Sequence, residues 1–226
     1  MKPAPDHRTA AEVRREGNHL RQEASLYLRQ HADDPVDWYP WSEEALARAR
    51  QLGRPIFLSS GYSSCHWCHV MAHEVFAHDD VADLLNARFV SIKVDREELP
   101  EVDATYMQAV QLMTGRGGWP MSVFLTPDLQ PFFGATYVPR ARFRELLERI
   151  VQLWDRNRDD IAEQAAALAA HIAVEPAPAG ADADAAPVTR DLLAKVVDGA
   201  ARRFDAEHGG FEASMKFPVP VRWTFL

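Results

Sequence analysis

Short apolar runs separated by polar turns mark the central part of the chain. Runs of four to six mostly apolar residues occur at 55–58, 89–94 and 121–125, and such runs are typical of buried β-strands. Residues 126–129 have the composition of a turn, and residues 131–138 after them can return as an antiparallel strand. The pattern therefore predicts four strands, the last two joined as a hairpin.

Segments with apolar residues at helical spacing lie around these strands. Helices are predicted over 43–52, 68–76, 81–89, 101–114 and 140–173, the last as one helix or two. Ser42 is a suitable N-cap and Gly53 a suitable stop for the first of these helices. Strands alternating with helices before a closing hairpin predict an α/β protein with a thioredoxin-like fold, a central mixed sheet flanked by helices.

The composition changes towards both ends of the chain. Residues 1–17 are rich in charge and predict a flexible leader, whereas residues 18–41 carry several aromatic side chains and predict an extended arm packed on a core. Proline, alanine and aspartate dominate residues 174–188, which is typical of a linker. Residues 189–226 hold one predicted helix and an apolar tail, too little to bury a core. We expect a thioredoxin-like domain over 18–173, followed by the stub of an incomplete all-α domain.

Charge and hydropathy exclude some classes of protein. The chain has 226 residues, 47% of them hydrophobic, and a formal net charge of −8. A nucleic-acid-binding protein usually carries a basic stripe, which this sequence lacks, so no nucleic-acid partner is expected. No apolar run is long enough for a membrane span, and none follows the charged N-terminus as in a secretory signal. We therefore expect a cytoplasmic protein that does not bind membranes.

The two cysteines, Cys65 and Cys68, lie where a turn-rich loop meets a predicted helix. A disulfide over so short a loop contributes only about 2 kcal/mol before strain, so stapling the fold is a poor explanation. A helix N-terminus favours the thiolate, which is the nucleophile. We expect Cys65 to be the more exposed cysteine and to attack, and Cys68 to resolve the mixed disulfide. His66, when charged, can stabilise the Cys65 thiolate, and Trp67 can shield one side of the pair.

Other uses of the same residues compete with redox chemistry. Cys65 to His69 also matches the Cys-x-x-Cys-His pattern of haem attachment, but no export signal or distal ligand accompanies it. Cys65, His69 and His73 recur at four-residue steps next to Cys68, and zinc accepts such ligands, although one helix rarely supplies a whole site. Two buried thiols acting as small apolar side chains are a third alternative. The sequence favours the redox hypothesis, with no metal and no other cofactor.

The Trp119-Pro120 pair lies between a glycine-rich break at 115–118 and the third predicted strand. An X–Pro bond adopts the cis form at modest cost, and a cis-proline in a tight turn usually has a purpose. In thioredoxin-like folds such a proline faces the cysteine pair and presents backbone to an extended peptide. We therefore predict that Pro120 is cis, lies close to Cys65 and binds substrate together with Trp119. The alternative is a trans-proline that begins a strand.

Four motifs make the chain resemble a known family. They are the aromatic arm over 18–41, the cysteine segment 61–71, the segment 92–98 (Ile-Lys-Val-Asp-Arg-Glu-Glu) and the segment 114–120 (Thr-Gly-Arg-Gly-Gly-Trp-Pro). Together they resemble the thioredoxin-domain proteins of the spermatogenesis-associated protein 20 type, formerly a domain of unknown function (DUF255). The resemblance is dense over about residues 18–140.

The resemblance implies an N-terminal thioredoxin-like domain followed, in a much longer protein, by an α/α-barrel similar to sugar epimerases and six-hairpin glycosidases. Residues 209–211 and 216–218 resemble the start of that barrel, whereas residues 212–215 depart from the usual Gly-x-Ala-Pro stretch. Leu26 stands where the family usually has proline. Compared with ordinary thioredoxins, Ser59 occupies the place of a buried acid that assists proton transfer to the resolving cysteine, which argues against a fast general reductase.

Two functions from different classes follow. The first is a thiol–disulfide oxidoreductase that acts through Cys65 and Cys68 on a protein or small-molecule thiol or disulfide. The second is a non-catalytic binding or scaffold module whose cysteines and histidines hold a partner or a metal, while the barrel carries any sugar-related activity. Selective reactivity of one thiol would favour the first function, and protection of both thiols without oxidant would favour the second.

Overall fold

One mixed β-sheet organises residues 6–172, which together with residues 189–210 are the part of the chain that the computed structural model describes. In spatial order its strands are β1 (Trp38–Pro40), β3 (Val90–Asp95), β2 (Ile56–Gly61), β4 (Met121–Leu125) and β5 (Pro131–Ala135). β1, β3 and β2 are parallel to one another, whereas β4 is antiparallel to β2 and to β5. The predicted mixed sheet with a closing hairpin is confirmed.

β1 is a strand that the apolar pattern does not predict. It has three residues, ends in Pro40 and pairs at the sheet edge with β3, with Trp38 opposite Ser91. Proline has no backbone N–H to donate, and an edge strand tolerates it because the solvent-facing side of that strand has no neighbouring strand to pair with. The short length and the proline explain why the sequence indicates only an extended arm in this region.

Helices precede, connect and follow the strands. In chain order they are α1 (Ala10–Glu16), α2 (Leu26–Arg29), α3 (Glu43–Leu52), α4 (His66–Met71) with a π-helical continuation (Ala72–Phe76), α5 (Asp79–Arg88), α6 (Pro100–Thr114), α7 (Arg140–Arg156), α8 (Arg158–Ile172) and, in the C-terminal segment, α9 (Arg190–Ala201). Both predicted ends of α3 are confirmed, since Ser42 accepts a hydrogen bond from the Ala45 N–H and Gly53 is left-handed at φ 59°. Among the described residues, no helix is long and apolar enough to cross a membrane.

Two apolar layers cover the sheet, one on each face. Phe57 of β2 packs in a layer rich in aromatic side chains, which includes Phe76 and Phe143. Ile56 and Leu58, its neighbours in β2, belong to the opposite layer. Successive side chains of a strand point to opposite faces, so a strand buried on both faces needs an uninterrupted apolar run. This requirement explains why the apolar run at 55–58 predicts β2.

The N-terminal residues 6–17 are folded, which corrects the prediction of a flexible leader over 1–17 for the part that the structure describes. Thr9 and Glu12 form a capping box at the start of α1, with the Thr9 N–H donating to the Glu12 carboxylate over 2.7 Å. Val13 is fully buried. Charge and prolines suggest a loose segment, but the Thr-x-x-Glu pattern and the apolar side chains behind it decide the outcome.

Residues 189–210 belong to a second compact unit. Thr189 caps α9 by accepting a hydrogen bond from the Leu192 N–H, and the Leu192 side chain is 48% exposed. The predicted linker over 174–188 and the predicted start of a barrel within 211–226 lie outside the described residues. The division into domains therefore stays a prediction.

Candidate active site

The cysteine pair lies at the junction between β2 and α4. β2 ends at Gly61, residues 62–64 connect the two elements, and Cys65 is the N-cap residue of α4. Cys65 and Cys68 form a disulfide, with their Cα atoms 5.2 Å apart. The backbone N–H of Cys68 donates a hydrogen bond to the Cys65 sulfur over 3.2 Å. Both cysteines therefore lie in the first turn of one helix, directly after a strand of the sheet.

The residues between the cysteines are exposed, whereas the cysteines are buried. Trp67 exposes 50% of its surface and His66 is exposed too, while Cys65 and Cys68 expose only 4% and 3%. The disulfide form therefore does not show the greater exposure that the sequence predicts for Cys65, because its sulfur is tied to Cys68 by the disulfide and a hydrogen bond. The Trp67 ring lies 5.1 Å from the Tyr137 ring between centroids, on the surface next to the pair.

The histidines near the pair do not gather into a ligand set. His69 Nε2 lies 2.7 Å from the Ser63 carbonyl oxygen, so this nitrogen donates to the loop before the pair. His73 lies in the π-helix Ala72–Phe76, and its side chain is exposed. Within the described part of the chain, no group of three or more His, Cys, Asp or Glu side chains is placed to hold a metal ion. The geometry therefore gives no support to the metal-site alternative.

The loop before β4 lies beside the loop that leads to the cysteine pair. The Trp119–Pro120 peptide bond is cis. Trp119 Nε1 donates to Asp103 Oδ1 over 2.8 Å, and its ring centroid lies 6.0 Å from that of Tyr62. The Arg96 guanidinium covers the indole ring at 3.9 Å from its centroid. Trp119 is thus fixed next to the cysteine loop, and its role in substrate binding stays a prediction, as does that of Pro120.

A lysine is buried beside Ser59, the position that lacks the acid of ordinary thioredoxins. Lys93 of β3 is 1% exposed, and its Nζ donates to Ser59 Oγ over 3.2 Å. The same nitrogen lies 4.4 Å from the ring centroids of both Trp38 and Phe76. Burial lowers the pKa of Lys93 to about 7, and the negative charge of Asp34 opposes this shift in part. The buried amine is therefore much less basic than that of an ordinary lysine.

Three residues of the N-terminal arm extend this arrangement into what we call the buried polar cluster: Tyr27, His31 and Asp34, together with Ser59 and Lys93. His31 Nδ1 donates to Asp34 Oδ2 over 2.8 Å, and its ring meets the Tyr27 ring edge-on at 5.0 Å. Burial, together with the charge of Lys93, lowers the pKa of His31 to about 4 against the opposing effect of Asp34, so the imidazole is neutral at pH 7. Sequence reasoning missed this cluster, although a lysine inside an apolar strand was a signal for it.

The sheet order and the disulfide at the start of α4 define a thioredoxin-like domain with a redox-capable cysteine pair. The chain belongs to the family described as "Protein of unknown function, DUF255" (Thioredox_DsbH), which matches residues 17–173. It is 45% identical over 219 residues to spermatogenesis-associated protein 20 of Homo sapiens, and 42% identical over 215 residues to an uncharacterized protein of Caenorhabditis elegans. The expected family is confirmed.

The chain is much shorter than these relatives. The alignments cover 92% of this chain in both cases, but only 27% of the human protein and 29% of the nematode protein. The chain therefore spans little more than a quarter of their length. Any activity, substrate or partner of the whole relatives is a proposal for this chain.

Solved structures of thioredoxin-like proteins are similar over part of the chain. A "DsbH Oxidoreductase" has 19% sequence identity and a TM-score of 0.41, with coverage of 52% of this chain and 85% of the other. A thioredoxin from Thermus thermophilus has 30% identity and a TM-score of 0.43, with coverage of 51% and 86%. The strand order and directions, rather than these partial likenesses, define the fold.

Proposed function

We propose that this domain is a thiol–disulfide oxidoreductase in which Cys65 is the nucleophile and Cys68 the resolving cysteine. The observation that carries the proposal is the Cys65–Cys68 disulfide with Cys65 as the N-cap of α4. In the reducing direction, the Cys65 thiolate attacks a substrate disulfide, and the first substrate sulfur leaves as a thiolate. The Cys68 thiolate then attacks the Cys65 sulfur, and the second substrate sulfur leaves. The protons that the two cysteines release balance those that the two substrate thiols take up.

The position of Cys65 at the helix start supports giving the two cysteines different roles. An N-cap side chain accepts hydrogen bonds from backbone N–H groups of the first turn, as the Cys65 sulfur does from Cys68. The same hydrogen bond and the positive end of the helix stabilise a thiolate on Cys65. His66 is exposed beside it, and its protonated form would add positive charge. Cys65 is therefore the better nucleophile and the better leaving group of the two.

Two aromatic side chains supply surface for a substrate next to the pair. Trp67 is half-exposed between the cysteines, and Trp119 is fixed beside the preceding loop by Asp103 and Arg96. An extended peptide carrying a disulfide or a thiol can lie along the loop that contains Pro120 and contact these rings. A protein thiol or disulfide fits this surface, and a small-molecule disulfide is the alternative substrate.

The direction of the reaction follows from which form the surroundings stabilise. Interactions that favour the Cys65 thiolate favour the reduced pair and raise its reduction potential. Ser59 is not an acid that could exchange a proton quickly with the resolving cysteine, so reduction of substrates should be slow. We therefore propose a pair that is more oxidising than ordinary thioredoxin and a poor reductant of insulin.

Trapping of the mixed disulfide tests this proposal. Cys68→Ser leaves the nucleophile without its resolving partner, so incubation with a peptide disulfide should accumulate a covalent adduct on Cys65. The matched variant, Cys65→Ser, should accumulate much less adduct because the remaining thiol lacks the N-cap position. Intact-mass analysis reads both outcomes. No adduct on either variant would instead favour the binding or scaffold module.

The remaining expectations concern parts of the protein beyond this site. We propose that, in the longer protein, the domain precedes an α/α-barrel that carries any sugar-related activity. The coverage of 27% of the human relative leaves ample chain for such a domain. A cytoplasmic location is also a proposal, which fractionation of cells that express the full-length protein would test.

A further inference from the structure

The Tyr27 hydroxyl is a buried polar group directed at the cysteine pair. Tyr27 is 1% exposed, and its Oη finds no hydrogen-bond partner among the described residues. A Cβ on Gly61 would overlap the Tyr27 Oη and would lie 2.8 Å from the Cys68 sulfur. The hydroxyl and the resolving sulfur therefore both pack closely against the same side of Gly61, where only a glycine fits.

The arm holds Tyr27 in this position. Tyr27 lies on α2, and the Ser25 side chain caps this short helix by accepting a hydrogen bond from the Leu28 N–H over 3.0 Å. The Ser25 hydroxyl in turn donates to Asp95 Oδ2 over 2.6 Å, which ties α2 to the end of β3. The His31 ring packs edge-on against the tyrosine. With these contacts the hydroxyl cannot turn towards solvent without moving the arm.

An unpaired buried hydroxyl costs folding free energy, so a partner in another form of the protein is a reason to retain it. A disulfide sulfur is a weak hydrogen-bond acceptor, whereas a thiolate is charged and binds donors strongly. Burial raises the pKa of Tyr27 far above its usual value, so the phenol keeps its proton and can donate it in a hydrogen bond to a thiolate. The Lys93 Nζ lies 5.6 Å from the Tyr27 ring centroid, so a buried amine is also close to the tyrosine.

We propose that Tyr27 is a positioning residue whose hydroxyl donates a hydrogen bond to the Cys68 thiolate beside Gly61. The inference rests on the proposed exchange reaction and names the group that prepares its second step. In that step Cys68 gives up its proton and attacks the Cys65 sulfur of the mixed disulfide. The Cys65–Cys68 bond forms, the bond from Cys65 to the substrate breaks, and the substrate thiolate leaves and takes a proton. Tyr27 stabilises the attacking sulfur and returns to its unpaired form once the disulfide is complete.

The test compares Tyr27→Phe with Tyr106→Phe in the full chain. Tyr106 is a suitable control because its hydroxyl donates to the Leu129 carbonyl oxygen and belongs to the other apolar layer. In a Cys65→Ser background, the pH dependence of alkylation reports the ionisation of Cys68 alone. Tyr27→Phe should lower the acid dissociation constant of Cys68 about tenfold, as expected for the loss of one hydrogen bond to a charged group. Tyr106→Phe should leave it unchanged.

A second measurement separates this role from a purely structural one. Chemical denaturation of Tyr27→Phe and the parent protein, each oxidised and reduced, gives a thermodynamic cycle. The variant should be at least as stable as the parent in the oxidised form, because the unpaired hydroxyl is removed, and less stable in the reduced form at a pH where Cys68 is ionised. Equal losses in both forms, or an unchanged acid dissociation constant of Cys68, would overturn the proposal. If Cys68 responds but Cys68→Ser traps no adduct, the exchange function fails while the contact from Tyr27 stands.

Discussion

Lys93 and His31 are ionisable side chains that the fold buries in the same cluster. The Lys93 amine donates a hydrogen bond to the Ser59 hydroxyl and lies over the Trp38 ring. His31 donates a hydrogen bond to the Asp34 carboxylate. Desolvation is the leading cause of both pKa shifts, and each lowers the pKa. The two residues therefore couple stability to pH in two different ranges.

Lys93→Met should stabilise the domain near pH 7 and remove a pH dependence of its unfolding. The pKa of Lys93 is about 7 in the folded protein and 10.5 for an ordinary lysine. Between these values the unfolded chain binds more protons than the folded chain, so the stability of the parent protein rises as pH rises through this range. Replacement of a buried charge by an apolar side chain of similar size should add roughly 1–3 kcal/mol near pH 7.

Urea denaturation across the range from pH 7 to pH 10.5 checks the Lys93 prediction. Lys195→Met is the matched control, because Lys195 is exposed on α9. The parent and the control should gain stability with pH to the same extent, whereas Lys93→Met should gain less. Parallel curves for all three proteins would show that Lys93 is not buried as an uncharged amine.

His31→Gln should reduce the loss of stability in acid. The folded pKa of His31 is about 4, below the ordinary value of 6.5, so the unfolded chain binds the extra proton first as pH falls. This contribution is fully present above pH 6.5 and is lost progressively towards pH 4. The free energy of unfolding at both ends of this range measures the effect, with the exposed His73→Gln as control. A slope that is the same for both variants would contradict the assignment.

The N-terminal arm, residues 18–40, acts as an element of the domain rather than a covering. Its last residues form β1 on the edge of the sheet, and its middle carries Tyr27 and His31 into the buried polar cluster. Asn18 closes the arm on itself, since its Nδ2 donates to the His31 carbonyl oxygen over 2.8 Å and its Oδ1 accepts from the Leu20 N–H over 3.0 Å. The arm therefore determines where Tyr27 and His31 lie relative to the cysteine pair.

Asn18→Ala should destabilise the domain by roughly 1–3 kcal/mol, because it leaves buried backbone groups of the arm without partners. Asn157→Ala is the control, as Asn157 is exposed at the end of α7, and its effect should be smaller. Denaturant titration of both variants gives the comparison. Equal effects would mean that the arm does not depend on this side chain.

The sequence predicts the elements whose own residues carry the signal for their structure. β2 has an apolar run, and α3 has an N-cap residue, an apolar face and a glycine at its end. α1, α2 and β1 were not predicted because each is short. α1 and α2 do have local caps at Thr9 and Ser25, whereas β1 depends on pairing with the distant strand β3. The same distinction holds at the site, where spacing identifies Cys65 and Cys68. Only the folded chain shows that Tyr27 and Lys93 lie behind them, since neither is near the pair in sequence.

At the scale of the whole molecule, the sheet domain corresponds to the family region over residues 17–173. Its strand order puts β2, which carries the cysteine loop, in the centre of the sheet, and the cluster behind the pair is closed off by the arm. The chain spans about a quarter of the length of its relatives, so the domain is one part of a longer architecture in that family. Redox exchange at the cysteine pair can be tested directly on this domain alone.

The reduction potential of the Cys65–Cys68 pair is the measurement that tests this claim most directly. Equilibration of the chain with glutathione buffers, followed by quantification of free thiols, gives the potential. We expect a reversible two-electron transition above the value of about −270 mV known for thioredoxin, because the helix start, together with His66 when it is protonated, favours the reduced pair. A potential below about −300 mV, which is typical of structural disulfides, or the absence of a reversible transition would contradict it.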